Sequence, residues 1–185
     1  LRETQLVVCL LFQYAGMSFV DFAHLKERNI KNGILDYNRQ KTGTPMRLEI
    51  LDTAELMRKE LMGDKRPASG YLFPFLSGTK TGYEAYLEYN AALSRFNRNL
   101  KALKKAAGIA SDVTSYTIRH SFAMALKEQN VPIEMISELL GHKSIKTTQI
   151  YLRSFSLEKM TEVNSTCFGC VYNYAVSYTH LRAHE

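Results

Sequence analysis

Long apolar runs are missing from this sequence. Nothing in its 185 residues approaches the roughly 18–20 consecutive apolar side chains needed to span a bilayer, so no membrane partner is expected. The apolar stretch at residues 6–12 is too short, and it lacks the basic leader and cleavage site of a secretion signal. Cysteine is scarce as well. Three residues, an odd number, cannot build the framework of a disulfide-stapled secreted fold. Cys167-Phe168-Gly169-Cys170 offers two of the four ligands a structural zinc needs and no second pair exists, so no metal is expected. Four prolines and ten glycines make no low-complexity tract, and there is no internal repeat.

What is present is an ordinary globular composition, 45% hydrophobic and 23% charged. A chain of this length buries a core without covalent staples. Lys and Arg number 24 against 18 Asp and Glu, a net charge of +6 that hints at a polyanionic partner. The sequence opens at Leu1 rather than Met, which suggests a fragment or processed piece.

The expected fold is α+β, mainly α, with one small antiparallel sheet. Residues 4–26 read as helix, turned near Gly16. Asn32-Gly33 is a two-residue hairpin signal, and alternation resumes at 47–51 after a polar loop, giving a sheet over about 29–51 with a basic tip. Residues 52–66 read as a charged helix with a solvated face, and 71–75 as an apolar extended link. From 83 to 153 the pattern is helical. Tyr86, Tyr89, Leu93, Phe96, Leu100, Leu103 and Ala107 form one stripe, stopped at Gly108. Ile118, Phe122, Ala125 and Leu126 form the next, Pro132 suits a helix start, Gly141 a stop and Ser144 a cap. After about 160 no period of either kind persists. Residues 161–185 are taken as an irregular tail, whose last nine residues resemble translated adapter DNA.

Tyr116, Arg119 and His120 at a helix start offer a cationic grip for an oxyanion. Leu140-Gly141-His142 follows, then Thr147-Thr148-Gln149-Ile150-Tyr151, with Tyr151 nine residues after His142. Together with Arg119-His120-Ser121-Phe122-Ala123, these residues resemble the catalytic core of the tyrosine recombinases, the phage-integrase family. The likeness is strongest to integrases of bacterial mobile elements. It extends upstream through Gly16-Met17-Ser18-Phe19-Val20-Asp21, Arg39-Gln40-Lys41-Thr42-Gly43 and Tyr71-Leu72-Phe73-Pro74, covering about 10–155.

The resemblance implies a catalytic set of Tyr151, Arg119, His142, Lys41 and Tyr116. Cutting a phosphodiester needs an oxygen nucleophile, neutralisation of phosphate charge and an acid for the leaving oxygen. Tyr151 would be the nucleophile and leave a 3′-phosphotyrosyl link, so that no cofactor is needed. Arg119 would hold the non-bridging oxygens with its planar fork. His142 would donate a hydrogen bond, Lys41 would act as general acid, and His120 would support from behind. Two departures stand out. Tyr116 occupies a position where the family usually has His. The first arginine of the pattern is missing, since its place holds Ala15 or, in the commoner spacing, Ser18.

Six cationic residues, Arg95, Arg98, Lys101, Lys104, Lys105 and Arg119, face only Asp112 between 91 and 120. Arg39, Lys41 and Arg47 stand on a hairpin with no acid between 37 and 48. Such residues suit DNA phosphates. The resemblance thus implies a catalytic domain at 1–160 without the family's N-terminal DNA-clamping domain, acting on double-stranded DNA as a homotetramer on two sites. The setting would be the bacterial cytoplasm, at the nucleoid. The expected function is site-specific recombination or integration. A DNA-binding remnant impaired by the missing arginine is the alternative, with relaxation of supercoils by the same chemistry a third reading. Lys26 or Arg28 is a candidate to fill the missing place.

Overall fold

The computed structural model describes residues 1–64 and 70–152, so the expected tail at 161–185 and its Cys pair lie outside the described residues. The first segment is helix α1 (Arg2–Gln13), which buries Leu6, Val7, Leu10 and Leu11. It ends where Ala15 and Gly16 both take positive φ (55° and 62°). That pair turns the chain into the short helix α2 (Phe19–Ala23), capped by the Ser18 hydroxyl. Gly16 is required twice over, because a Cβ on it would lie 2.9 Å from the Phe122 ring as well as demand left-handed backbone.

A single 3₁₀ turn (Glu27–Asn29) leads into a three-stranded antiparallel sheet, ordered β1 (Ile30–Lys31), β2 (Ile34–Asn38), β3 (Pro45–Glu49). Asn32 and Gly33 take φ of 51° and 75°, the left-handed pair that a two-residue hairpin between twisted strands needs. Leu35 pairs with Leu48 and Tyr37 with Met46, so one face of β2 points into the core. Helix α3 (Asp52–Met62) stops short of the expected 66. It lays Ala54, Leu61 and Met62 inward against α1.

The link at 71–75 is anchored by Leu72 N–H, which donates to the Leu25 carbonyl (2.7 Å). Its Phe73 stacks on Phe22 with ring centroids 4.1 Å apart. Helix α4 (Gly82–Ala106) stacks Phe96 on Phe19 at 4.7 Å. Its buried face runs through Ala92, Phe96 and Leu100, with Tyr89, Leu93 and Leu103 partly covered. The expected stripe is too broad: Tyr86 is 58% exposed and Ala107 is exposed.

Helices α5 (Ser115–Glu128), α6 (Ile133–Leu139) and α7 (Ile145–Tyr151) complete the described fold. A small second cluster of Ala123, Ile136 and Leu140 holds them, with Phe122, Leu126, Val131 and Tyr151 against it. The inward face of α5 carries Ile118, Arg119 and Ala123, whereas Phe122 and Leu126 are half-buried, so the expected stripe is rotated around the helix. Ser144 takes the cap position of α7 without making a side-chain capping bond. Among the described residues, no helix is long and apolar enough to cross a membrane.

Candidate active site

Arg119 sits on the inward face of α5 at 4% exposure, an unusual place for a full charge. Its burial is possible because two backbone carbonyls from opposite ends of the fold accept from it. Nη1 donates to Gly16 O at 2.9 Å, and Nη2 donates to Leu140 O. The Ala15-Gly16 turn therefore presents a carbonyl to a guanidinium 103 residues away. Burial, then the positive charge of Arg39, lowers the Arg119 pKa from its ordinary value.

Arg119 forms one wall of a cleft of about 380 Å³, lined also by Ser18, Arg39, Lys41, Tyr116, His142 and Tyr151. These come from the start of α2, the β2–β3 hairpin, α5, the turn after α6, and α7. The loop after α6 follows from Gly141, whose φ of +61° ends the helix and swings His142 toward the cleft. Imidazole Nδ1 of His142 lies 2.9 Å from the hydroxyl of the fully buried Thr148, one of the two threonines that precede Tyr151. Burial first, then the charges of Arg119 and Arg39, pushes the His142 pKa down to about 4. The ring is therefore neutral near pH 7 and keeps one N–H to donate.

Tyr151 sits among three rings, edge-on to Tyr116 (centroids 5.5 Å), His120 (5.1 Å) and His142 (5.7 Å). Its hydroxyl is buried beside the Tyr116 phenol, and no described residue completes a well-formed hydrogen bond to it. A buried hydroxyl short of a well-formed hydrogen bond carries a desolvation cost, which a polar ligand entering the cleft removes. Burial and the neighbouring Tyr116 phenol raise the Tyr151 pKa, while Arg119 and Arg39 pull it the other way. Tyr116 is 64% exposed at the cleft rim, so it shares a helix with Arg119 but not its burial.

The basic residues separate into distinct groups. Lys41 is exposed at the hairpin tip beside the cleft. Lys101 is exposed and follows Leu93 and Asn97 along an i+4 row of α4, where Asn97 Oδ1 accepts from Ser115 N–H at 2.9 Å. Lys104 pairs with Asp112 at 3.3 Å, and Arg98 and Lys105 are exposed. Arg95 lies elsewhere, lining a recess with Glu3, Phe75 and Asn99 on the α1 side. Arg47 is exposed opposite Asp36 on the sheet, beside Met135 and Glu138.

Arg39 differs from the placement expected of a hairpin-tip cation. It is 8% exposed and turned inward, its Nε 3.5 Å from Asp21 Oδ2 and its Nη1 donating to the carbonyls of Leu140 (3.0 Å) and Gly141 (3.1 Å). Lys26 and Arg28 do not line the cleft. The Lys26 ammonium lies over the Tyr71 ring, 5.3 Å from its centroid. A signal for Arg39 exists in the sequence: Asp21, a lone acid in an apolar helix, needs a buried cation.

These features define a class. The sequence profile of the phage integrase family matches residues 2–158, and the chain belongs to that family. The tyrosine recombinase XerD of Lacticaseibacillus casei is 52% identical to it over 54 residues, 29% of this chain and 18% of that protein. XerC of Rickettsia typhi is 41% identical over 75 residues, 40% of this chain and 24% of that protein. Among solved structures, XerH site-specific recombinase bound to palindromic difH substrate aligns with a TM-score of 0.63 at 21% identity, over 89% of this chain and 45% of that one. The Tn1549 transposon integrase in complex with transposon right end DNA gives 0.62 at 13% identity, over 87% of this chain and 57% of that one. These likenesses establish the fold. The aligned parts span about a fifth to a quarter of the curated relatives, and about half of the structural ones.

Proposed function

We propose that this chain is the catalytic domain, residues 1–160, of a tyrosine-type site-specific DNA recombinase. It cleaves and rejoins double-stranded DNA through a 3′-phosphotyrosyl intermediate. The observation that carries the reading is the buried hydroxyl of Tyr151 in a cleft shared with Arg119, His142 and Lys41. In the forward step the Tyr151 oxygen attacks phosphorus, the bond to the 5′ oxygen breaks, and the phenolic proton passes to water in the cleft. Lys41 protonates the departing 5′ oxygen, so bond energy is conserved for religation. Arg119 holds a non-bridging oxygen. With the Thr148 hydroxyl donating to Nδ1, the single N–H of the neutral His142 ring is on Nε2 and donates to the phosphate. Tyr116 orients the nucleophile ring from the rim. The matched structures that contain DNA support a duplex partner. Recombination would then engage four protomers on two duplexes, at the bacterial nucleoid.

The test is a pool of nicked duplexes with randomised flanks, incubated with the full chain and scored for protein–DNA adducts that survive denaturation. Adducts form with the parent and are abolished in Tyr151→Phe, while duplex retention on a native gel stays within about twofold, since only one oxygen is removed. Adducts persisting in Tyr151→Phe would place the nucleophile elsewhere. Duplex retention by a parent that yields no adduct would identify the impaired remnant instead.

A further inference from the structure

Two guanidinium groups, not one, are buried at the cleft. Arg39 and Arg119 enter from opposite sides, the hairpin and α5, and donate to the same carbonyl oxygen, that of Leu140. Like charges held this close repel strongly unless an anion lies between or beside them. Among the described residues, the carboxylate that faces Arg39 is Asp21, buried at 2% exposure. Asp21 is already engaged: Oδ1 accepts from Gln40 N–H at 2.7 Å, and Oδ2 accepts from the Ser18 hydroxyl at 2.6 Å. Its approach to Arg39 is long, 3.5 Å, and involves Nε alone. The described bonds use three of the five N–H groups of Arg39, leaving donors for a ligand.

The surroundings hold Arg39 in this pose. A Cβ on Gly141 would stand 2.9 Å from Arg39 Cδ and 2.5 Å from Met46 Sδ, so the bare backbone at 141 is the floor on which the arginine stem lies. Arg39 N–H donates to Thr44 O, and Gly43 N–H to Arg39 O, closing the hairpin tip that also carries Lys41. Ser18 caps α2 and hydrogen-bonds the carboxylate that faces Arg39. Position 15 is buried Ala with a left-handed φ, and it contributes no charge.

We propose that Arg39 supplies the second guanidinium to the phosphate in this cleft, taking one non-bridging oxygen while Arg119 takes the other, in place of the arginine that position 15 lacks. This rests on the phosphotyrosyl reading above. It implies that the chain is not disabled by the residue at position 15, and it makes Asp21 and Gly141 positioning residues for Arg39.

The test compares two nicked duplexes of the sequence recovered from the randomised pool. One carries the ordinary scissile phosphate and the other a methylphosphonate there, with one negative charge fewer. Arg39→Gln should slow adduct formation by about 10²–10³-fold on the phosphate and by no more than about threefold on the methylphosphonate, whose lower charge needs less compensation. A slowing that is equal on both duplexes would make Arg39 structural, and no slowing on either would remove it from the site; either overturns the proposal. If Arg39→Gln gives no cooperative thermal transition, Arg39→Lys replaces it, with a smaller slowing that again disappears on the methylphosphonate. A parent that yields no adduct anywhere in the pool, and so no sequence to compare, would bring down the phosphotyrosyl reading, and the role of Arg39 with it.

Discussion

The two apolar clusters of this domain differ sharply in what they carry. The larger one gathers α1, α2, the sheet, α3 and α4 around Phe22, Phe73, Leu10 and Leu11, all fully buried. The smaller has three fully covered residues, Ala123, Ile136 and Leu140, yet Tyr151 packs on it and His142 follows directly from it. Little apolar surface therefore positions Tyr151. Polar bonds across the seam do that work: Arg119 to Gly16 on one side and Leu140 on the other, and Arg39 from Asp21 to Leu140 and Gly141. A well-filled scaffold thus carries a lightly packed partner, and guanidinium groups join the two.

The contrast can be broken most severely in the scaffold. Phe22→Ala should cost about 3–5 kcal/mol of global stability, read as a lowered urea midpoint with unchanged slope. A cost under about 1 kcal/mol would mean the larger cluster is not the scaffold. At the seam, Gly141→Ala should cost about 1–3 kcal/mol from left-handed strain and displaced neighbours. An unchanged urea midpoint would show that Met46 and the Arg39 stem yield freely.

The next effect is in pH. The His142 pKa is about 4 in the folded chain against an ordinary value near 6.5. A depressed histidine contributes stability that is whole above about 6.5 and is lost as pH falls toward 4. The parent should thus lose more stability between about pH 7.5 and about pH 4.5 than His142→Gln does, measured by urea melts at each pH. A His142 ring signal that titrates near 6.5 in the free protein would contradict the burial argument. The smallest effect concerns the surface. Replacing Lys101, Lys104 and Lys105 with Gln should flatten the salt slope of duplex binding by about 0.9 for each phosphate no longer neutralised. Arg95→Gln, on the α1 side, should leave it unchanged. Equal slopes in both variants would erase the distinction between the two faces.

Much of the scaffold is legible in the residues. Asn32-Gly33 marks the hairpin, Gly108 and Gly141 mark helix ends, and Pro132 marks a start, because each reports a local backbone preference. Arg119, His142, Tyr151, Lys41 and Tyr116, which share the cleft, also stand out by their order along the chain. Their burial is not legible. Arg119 reads as part of a cationic grip at a helix start, and Arg39 as a hairpin-tip cation, because a helical or alternating period treats every charge as outward. Which charge turns inward depends on acceptors about a hundred residues away, Gly16 O and Leu140 O, and no local window contains them.

That same separation sets a clock on assembly. Leu140 is the acceptor shared by two arginines, and it lies 101 residues beyond Arg39. Pairings of such sequence separation close late, after the local hairpin and helices have formed. A ribosome-bound chain displaying only the sheet and α1–α4 has Lys41 and Arg39 with Asp21 beside them, but lacks the Leu140 and Gly141 carbonyls that hold the Arg39 fork. The cleft comes into being only when the last helices dock.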